Sequence, residues 1–168
     1  MYYAYMGIDP GAKGAICVYI PQLKKLLFKD HKHTAQEIML WVESIKFKYN
    51  IQAVYLEEVH SLFGMSAKSN FGFGWNVGIS HTILNCVGIT PTLVQPKVWQ
   101  KFIKVTSKGK EIKKEVAEIC KQLYPQCMKD KLIFGPKGGL MDGRTDALMI
   151  MHYGYNNFKV NDGNNIKK

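Results

Sequence analysis

The chain has 168 residues, 46% of them hydrophobic and 12% aromatic, which suits one domain with a real core and excludes wholesale disorder. Its 23 Lys and Arg outweigh 13 Asp and Glu, a formal charge of +10; such an excess draws polyanions but leaves open a nucleic-acid enzyme or a merely basic binding protein. No apolar run could span a bilayer, no basic leader precedes Asp9, and the four cysteines form no C-x-x-C pair, so a reduced, cytoplasmic protein without membrane association is expected.

An apolar run over residues 3–8 meets Asp9-Pro10-Gly11 and reads as a buried strand ending in a turn. Residues 14–20 form a second strand stopped by Pro21, and 23–28 a third, which together make an antiparallel meander. Thr34-Ala35-Gln36-Glu37 fits a capping box, and Ile38, Trp41, Val42 and Ile45 follow at helical spacing. Residues 52–59 are the next strand, carrying Glu57-Glu58 at its end. A loop rich in Gly, Ser, Phe and Lys spans 60–74, followed by a helix through Val77, Ile79, Ile83 and Val87 that Gly88 closes. A short strand at 90–94, a helical turn from Pro96 bearing Trp99, a helix near 111–123, a loop over 125–139 and a last helix over 142–155 complete the order. The pattern predicts one α/β domain over residues 1–158, with 159–168 a polar, disordered tail.

Carboxylates stand where a fold usually keeps none. Asp9 and Glu57 each end a strongly apolar strand, and Asp142 and Asp146 are four apart on one helix face, the latter followed by Ala147-Leu148-Met149-Ile150-Met151. Taken singly, each has an ordinary reading: a turn residue, a solvated strand end, an N-cap, a partner for Arg144 or a lysine. If both strands are neighbours and the helix crosses their ends, the acids converge, and their repulsion calls for divalent cations. Hard oxygen ligands favour Mg²⁺ or Mn²⁺, and two such ions suit phosphodiester cleavage.

These residues carry a resemblance. Gly7-Ile8-Asp9-Pro10-Gly11, then Leu56-Glu57-Glu58-Val59, then Asp142-Gly143-Arg144-Thr145-Asp146-Ala147-Leu148 resemble the successive catalytic motifs of the RuvC family of Holliday-junction resolvases, and the D-G-R-x-D-A-L form is similar to that of phage-encoded and organellar members. The resemblance covers roughly residues 5–154. It implies a ribonuclease-H-like mixed sheet, an antiparallel meander plus parallel strands, flanked by helices. It also implies Asp9, Glu57, Asp142 and Asp146 as ligands of two Mg²⁺, with Mn²⁺ able to substitute. Bacterial members carry an acid or His three residues before the last Asp; that position here is Gly143, and the acid stands one earlier at Asp142. Glu58 stands where the bacterial form often has an amide, and neighbours on a strand face opposite ways, so Glu57 and Glu58 do not share a site without distortion. The family further implies a homodimer acting on four-way junction DNA, with cleavage leaving a 5′ phosphate and a 3′ hydroxyl, and an aromatic near the branch point.

Residues 97–137 hold eleven lysines against four acids, which favours phosphate contact; Lys108, Lys110, Lys113 and Lys114 are the first choices, although a solvated helix face accounts for any one of them. In the loop after Glu57, Phe63 is the candidate wedge for unpaired bases and Lys68 a further DNA contact, while Phe71 and Phe73 serve equally well as core residues. His60 and His152 read as structural before catalytic. Rivals remain: a ribonuclease-H-like nuclease for flaps or other branched DNA, and a catalytically silent junction-binding protein. An actin-like kinase would need a second domain and phosphate loop, and 168 residues leave no room, so no nucleotide cofactor is expected.

Overall fold

A computed structural model describes residues 1–58 and 66–165, with side chains described through residue 158. The elements run β1 (Tyr3–Ile8), β2 (Ala15–Ile20), β3 (Lys25–Asp30), α1 (Ala35–Lys48), β4 (Asn50–Glu57), α2 (Ala67–Cys86), β5 (Thr92–Val94), α3 (Pro96–Phe102), α4 (Glu111–Leu123), α5 (Gln126–Lys129) and α6 (Asp142–Asn165). The five strands form one sheet in the order β3-β2-β1-β4-β5. β1, β2 and β3 pair antiparallel as a meander, while β4 runs parallel to β1 and β5 parallel to β4. The result is a ribonuclease-H-like mixed sheet flanked by helices, as expected.

Strand alternation divides the core in two. Ala4, Met6 and Ile8 of β1, with Val54 and Leu56 of β4, pack on one face against Ile38, Val42 and Ile45 of α1 and Ile83 and Leu84 of α2. Tyr5 of β1 and Cys17 of β2 face the other way, onto Leu148 and Met149 of α6 and Val116 and Cys120 of α4. Residues 147–151 of α6 are fully buried, so this helix is the spine of its layer. The helix lies directly on the strand: a Cβ at Gly7 would collide with the Met151 backbone nitrogen and the Ala147 carbonyl. A larger residue at Gly7 would lift α6 off β1.

Local signals account for several boundaries. The Thr34 hydroxyl accepts from Glu37 N–H at 3.2 Å, and the Glu37 carboxylate accepts from Thr34 N–H at 2.8 Å, which completes the expected capping box. Other boundaries differ from expectation. The segment read as a loop to residue 74 is helical from Ala67, capped by the Ser66 hydroxyl, which accepts from Ser69 N–H at 3.2 Å. Phe71 and Phe73 are therefore helical. Pro21–Leu23 form a 3-10 turn, which moves β3 to Lys25–Asp30, and α5 interrupts the loop expected over 125–139. The last helix runs to Asn165 instead of residue 155, so its backbone continues into the segment expected as a tail.

Candidate active site

The parallel register of β1 and β4 pairs Ile8 with Leu56, so the residues that follow, Asp9 and Glu57, lie side by side at the carboxyl ends of their strands. By alternation both face the α6 layer, since Tyr5 and Tyr55 face it four and two positions earlier. Crevices at the carboxyl ends of strands are where α/β sheets bind their ligands. α6 begins at this edge with Asp142 and Asp146 one turn apart. The turn after β1 fixes the junction: Gly14 and Gly143 form a bridge, and a Cβ at Gly143 would collide with the Lys13 carbonyl.

Each acid has its own environment. Asp9 Oδ1 accepts from Gly11 N–H at 2.8 Å; burial pushes its carboxyl up to about 6, against the pull of that N–H and of Lys113. Burial pushes Glu57 up to about 7, with the Asp9 charge adding to it, while Trp99 Nε1–H, donating to Glu57 Oε1 at 2.8 Å, works the other way. Asp146 is raised well above the carboxylate range by burial, then by Asp9, Glu57 and Asp142. Such mutual elevation shows that these carboxylates share one electrostatic environment. Asp142 differs: it is more exposed, and its Oδ2 accepts from Lys113 Nζ at 2.6 Å.

A cleft of about 450 Å³ opens here, lined among others by Asp9, Lys13, Asp30, Lys32, Lys113, Asp142 and Asp146, while Glu57 is not part of its wall. Among the described residues, no three acid, His or Cys side chains are drawn close enough to enclose a metal ion, so the acids form an open cleft and not a closed cage. An all-carboxylate donor set nonetheless fits Mg²⁺ or Mn²⁺, which bind through a few carboxylates and keep water and phosphate oxygens for the remaining positions.

A strut behind the cleft holds the start of α6. Arg144 donates from Nε and Nη2 to Asp30 Oδ1 and Oδ2 at 2.6 and 2.9 Å, and from Nη1 to the Leu132 carbonyl at 2.6 Å. Burial alone would raise the Asp30 carboxyl, but the Arg144 guanidinium outweighs it and holds it below the usual range. Asp146 thus has no claim on Arg144, contrary to the ordinary reading open at the sequence level.

The lysines divide. Lys113 reaches into the acidic cleft, whereas Lys108 and Lys110 are exposed on the approach to α4, and Lys114 pairs with Glu111 at 3.1 Å on the helix surface. The approach is pinned: Glu115 accepts from Ser107 N–H at 2.7 Å and from Thr106 N–H and hydroxyl at 3.0 Å each, contacts that hold its carboxyl down to about 2. Lys68 is exposed in the first turn of α2. Phe63 and His60 lie outside the described residues. His152 sits away from the cleft, its Nδ1 2.8 Å from the Tyr124 hydroxyl and its ring against Phe102. Sequence reading missed Trp99 as the donor to Glu57, the Arg144–Asp30 pair, and Lys13 and Lys32 on the cleft wall. Only Lys13 carried a usable signal, its place in the turn between Asp9 and Gly14.

No family model matches the sequence, and no curated protein is similar to it. Solved structures do match. RuvC of Thermus thermophilus in complex with a Holliday junction substrate is 17% identical, aligned over 89% of this chain and 90% of that one with a TM-score of 0.55. A structure of Thermus thermophilus RuvC is 15% identical, over 88% and 90%, with a TM-score of 0.51. The chain therefore shares the ribonuclease-H-like α/β fold of RuvC, over nearly the full length of each.

Proposed function

We propose that the chain is a metal-dependent endonuclease that acts as a homodimer on branched DNA, foremost four-way junctions. One observation carries the reading: Asp9, Glu57 and Asp146, from elements far apart in sequence, stand half-buried together at the carboxyl ends of β1 and β4, each with raised proton affinity. Keeping acids there costs stability unless they serve a bound cation. Asp9, Glu57 and Asp146, joined by Asp142, would hold two Mg²⁺. Bound there, the ions supply positive charge for attack of water on phosphorus and for departure of the 3′ oxygen.

The chain's own groups do the positioning. Gly11 N–H fixes one Asp9 oxygen and Trp99 one Glu57 oxygen, so each carboxylate presents its other oxygen in a set direction. Arg144 ties the first turn of α6 to β3 through Asp30, which holds Asp142 and Asp146 over the strand ends. Lys108 and Lys110, exposed on the approach to α4, and Lys13 and Lys32 at the cleft would meet phosphates of the bound strand. Breaking the P–O3′ bond leaves a 5′ phosphate and a 3′ hydroxyl.

α2 supports the homodimer. Phe71 and Trp75 on it are 73% and 61% exposed, and side chains added at Gly72, Gly74 or Gly78 would meet nothing. An apolar groove beside them, lined by Ala35, Trp75, Ile79 and Ile83, suits a second copy of the same helix. Two-fold pairing would set two clefts on opposed strands of a junction.

The test is cleavage of labelled four-way, flap and linear duplex DNA in Mg²⁺ by the wild type and Asp9→Asn. Paired, ligatable cuts in the four-way substrate by wild type alone, with binding kept in the variant, are expected. Preference for the flap would reassign the substrate, and binding without any cleavage in Mg²⁺ or Mn²⁺ would overturn the proposal in favour of a silent junction binder.

A further inference from the structure

Other lysines of α4 pair within the helix, as Lys114 does with Glu111 at 3.1 Å and Lys121 with Glu118 at 2.5 Å. Lys113 instead crosses to the first turn of α6 and meets Asp142 Oδ2 at 2.6 Å, on a cleft wall shared with Asp9 and Asp146. Those carboxylates also act on its ammonium, adding to the hold of Asp142. Asp146 itself accepts no hydrogen bond from any described residue, so its carboxylate is open to whichever cation arrives. The Lys113 side chain is 61% exposed, which leaves its stem free to swing.

An acidic cleft of this kind attracts any cation within reach, and a lysine on a helix packed against α6 is always within reach. We propose that Lys113 is a tethered competitor of divalent cations, its ammonium holding Asp142 until a metal ion or a DNA phosphate draws the two apart. The inference rests on the metal-dependent reading above. A phosphate entering the cleft offers Lys113 another partner, so DNA that takes the ammonium frees Asp142 for metal. Because coupling between two ligands is reciprocal, metal must tighten DNA by the same factor.

Mn²⁺ binding to the whole protein, followed by electron paramagnetic resonance without DNA, tests this. An exposed ion pair corresponds to a factor of up to about five in an equilibrium, so Lys113→Met should bind Mn²⁺ up to about fivefold more tightly. Lys113→Arg, which keeps the charge, should stay near wild type. Lys121→Met, which removes an α4 lysine paired within its own helix and outside the cleft, should change little. A phosphorothioate duplex that resists cleavage should tighten Mn²⁺ binding to wild type but not to Lys113→Met. Equal affinity in wild type and Lys113→Met, or equal tightening in Lys121→Met, would overturn the inference while leaving the metal site standing. Failure of wild type to bind Mn²⁺ would overturn the metal-dependent reading and this inference together. Thermal melts of Lys113→Met and Lys113→Arg establish that both are folded.

Discussion

Asp9→Asn separates what the half-buried carboxylate costs from what it does. Burial holds Asp9 at about 6 against an ordinary 3.8, so the fold favours its protonated form. A carboxyl raised in this way contributes stability that is fully present below about pH 4 and is lost as the pH rises through about 6. The interval from 3.8 to about 6 corresponds to roughly 3 kcal/mol. Asn is neutral at every pH, and its carbonyl oxygen can still accept from Gly11 N–H, so the substitution should recover most of that amount. In EDTA at pH 8 the variant should be more stable by roughly 2–3 kcal/mol, or about 4–12 °C in melting temperature for a chain of this length. At pH 4 the two proteins should melt together. Mg²⁺ at pH 8 should raise the wild type more than the variant and narrow the gap. A difference of the same size at pH 4 and pH 8, or a wild type that melts higher in EDTA at pH 8, would refute the reasoning.

Arg144→Met should cost roughly 3 kcal/mol or more, because the Asp30 side chain, only 7% exposed, would keep its charge without its partner; adding Asp30→Asn should restore part of the lost melting temperature. Trp99→Phe removes the hydrogen bond that restrains Glu57, so the Glu57 titration should move above its value of about 7, read by carboxyl-detected NMR in EDTA. An unmoved titration would mean that the indole does not reach the carboxylate. Changing Lys108, Lys110 and Lys114 together to Ala should flatten the log–log salt dependence of DNA binding by at most about 2–3 in slope, alike for junction and duplex. An unchanged slope would place the DNA path elsewhere on the surface.

What could be read in advance was local. The apolar runs ending in Asp9 and Glu57 locate two strand ends, though not their adjacency, because a buried strand carries its own signature and an acid at its tip interrupts it. The capping box at Thr34 is likewise complete within four residues. α2 was half hidden: Gly72, Gly74 and Gly78 each disfavour helix, and its apolar residues lie all round the helix, so no 3.6-residue stripe marks its start. The pairs that build the site were hidden altogether. Trp99 and Glu57 are 42 residues apart, and Arg144 and Asp30 are 114 apart. Lys113 lies on the charged side of an amphipathic helix, where a lysine facing solvent and one facing another element's carboxylate leave the same pattern. Direction toward a distant partner is a property of the packed layers and not of the segment.

The contact of α6 with β1 at Gly7, and with the turn before β2 at Gly143, is backbone against backbone. The gauge between the strand-end acid and the helix acids is therefore set by main-chain thickness, which no mutation elsewhere can alter. Around it, apolar residues of similar volume can replace one another at modest cost. A chain built this way can exchange many of its apolar side chains and keep the spacing of its carboxylates, provided two hydrogen atoms stay where a methyl would wedge the layers apart. The positions of this molecule least able to accept a larger side chain are among its smallest residues.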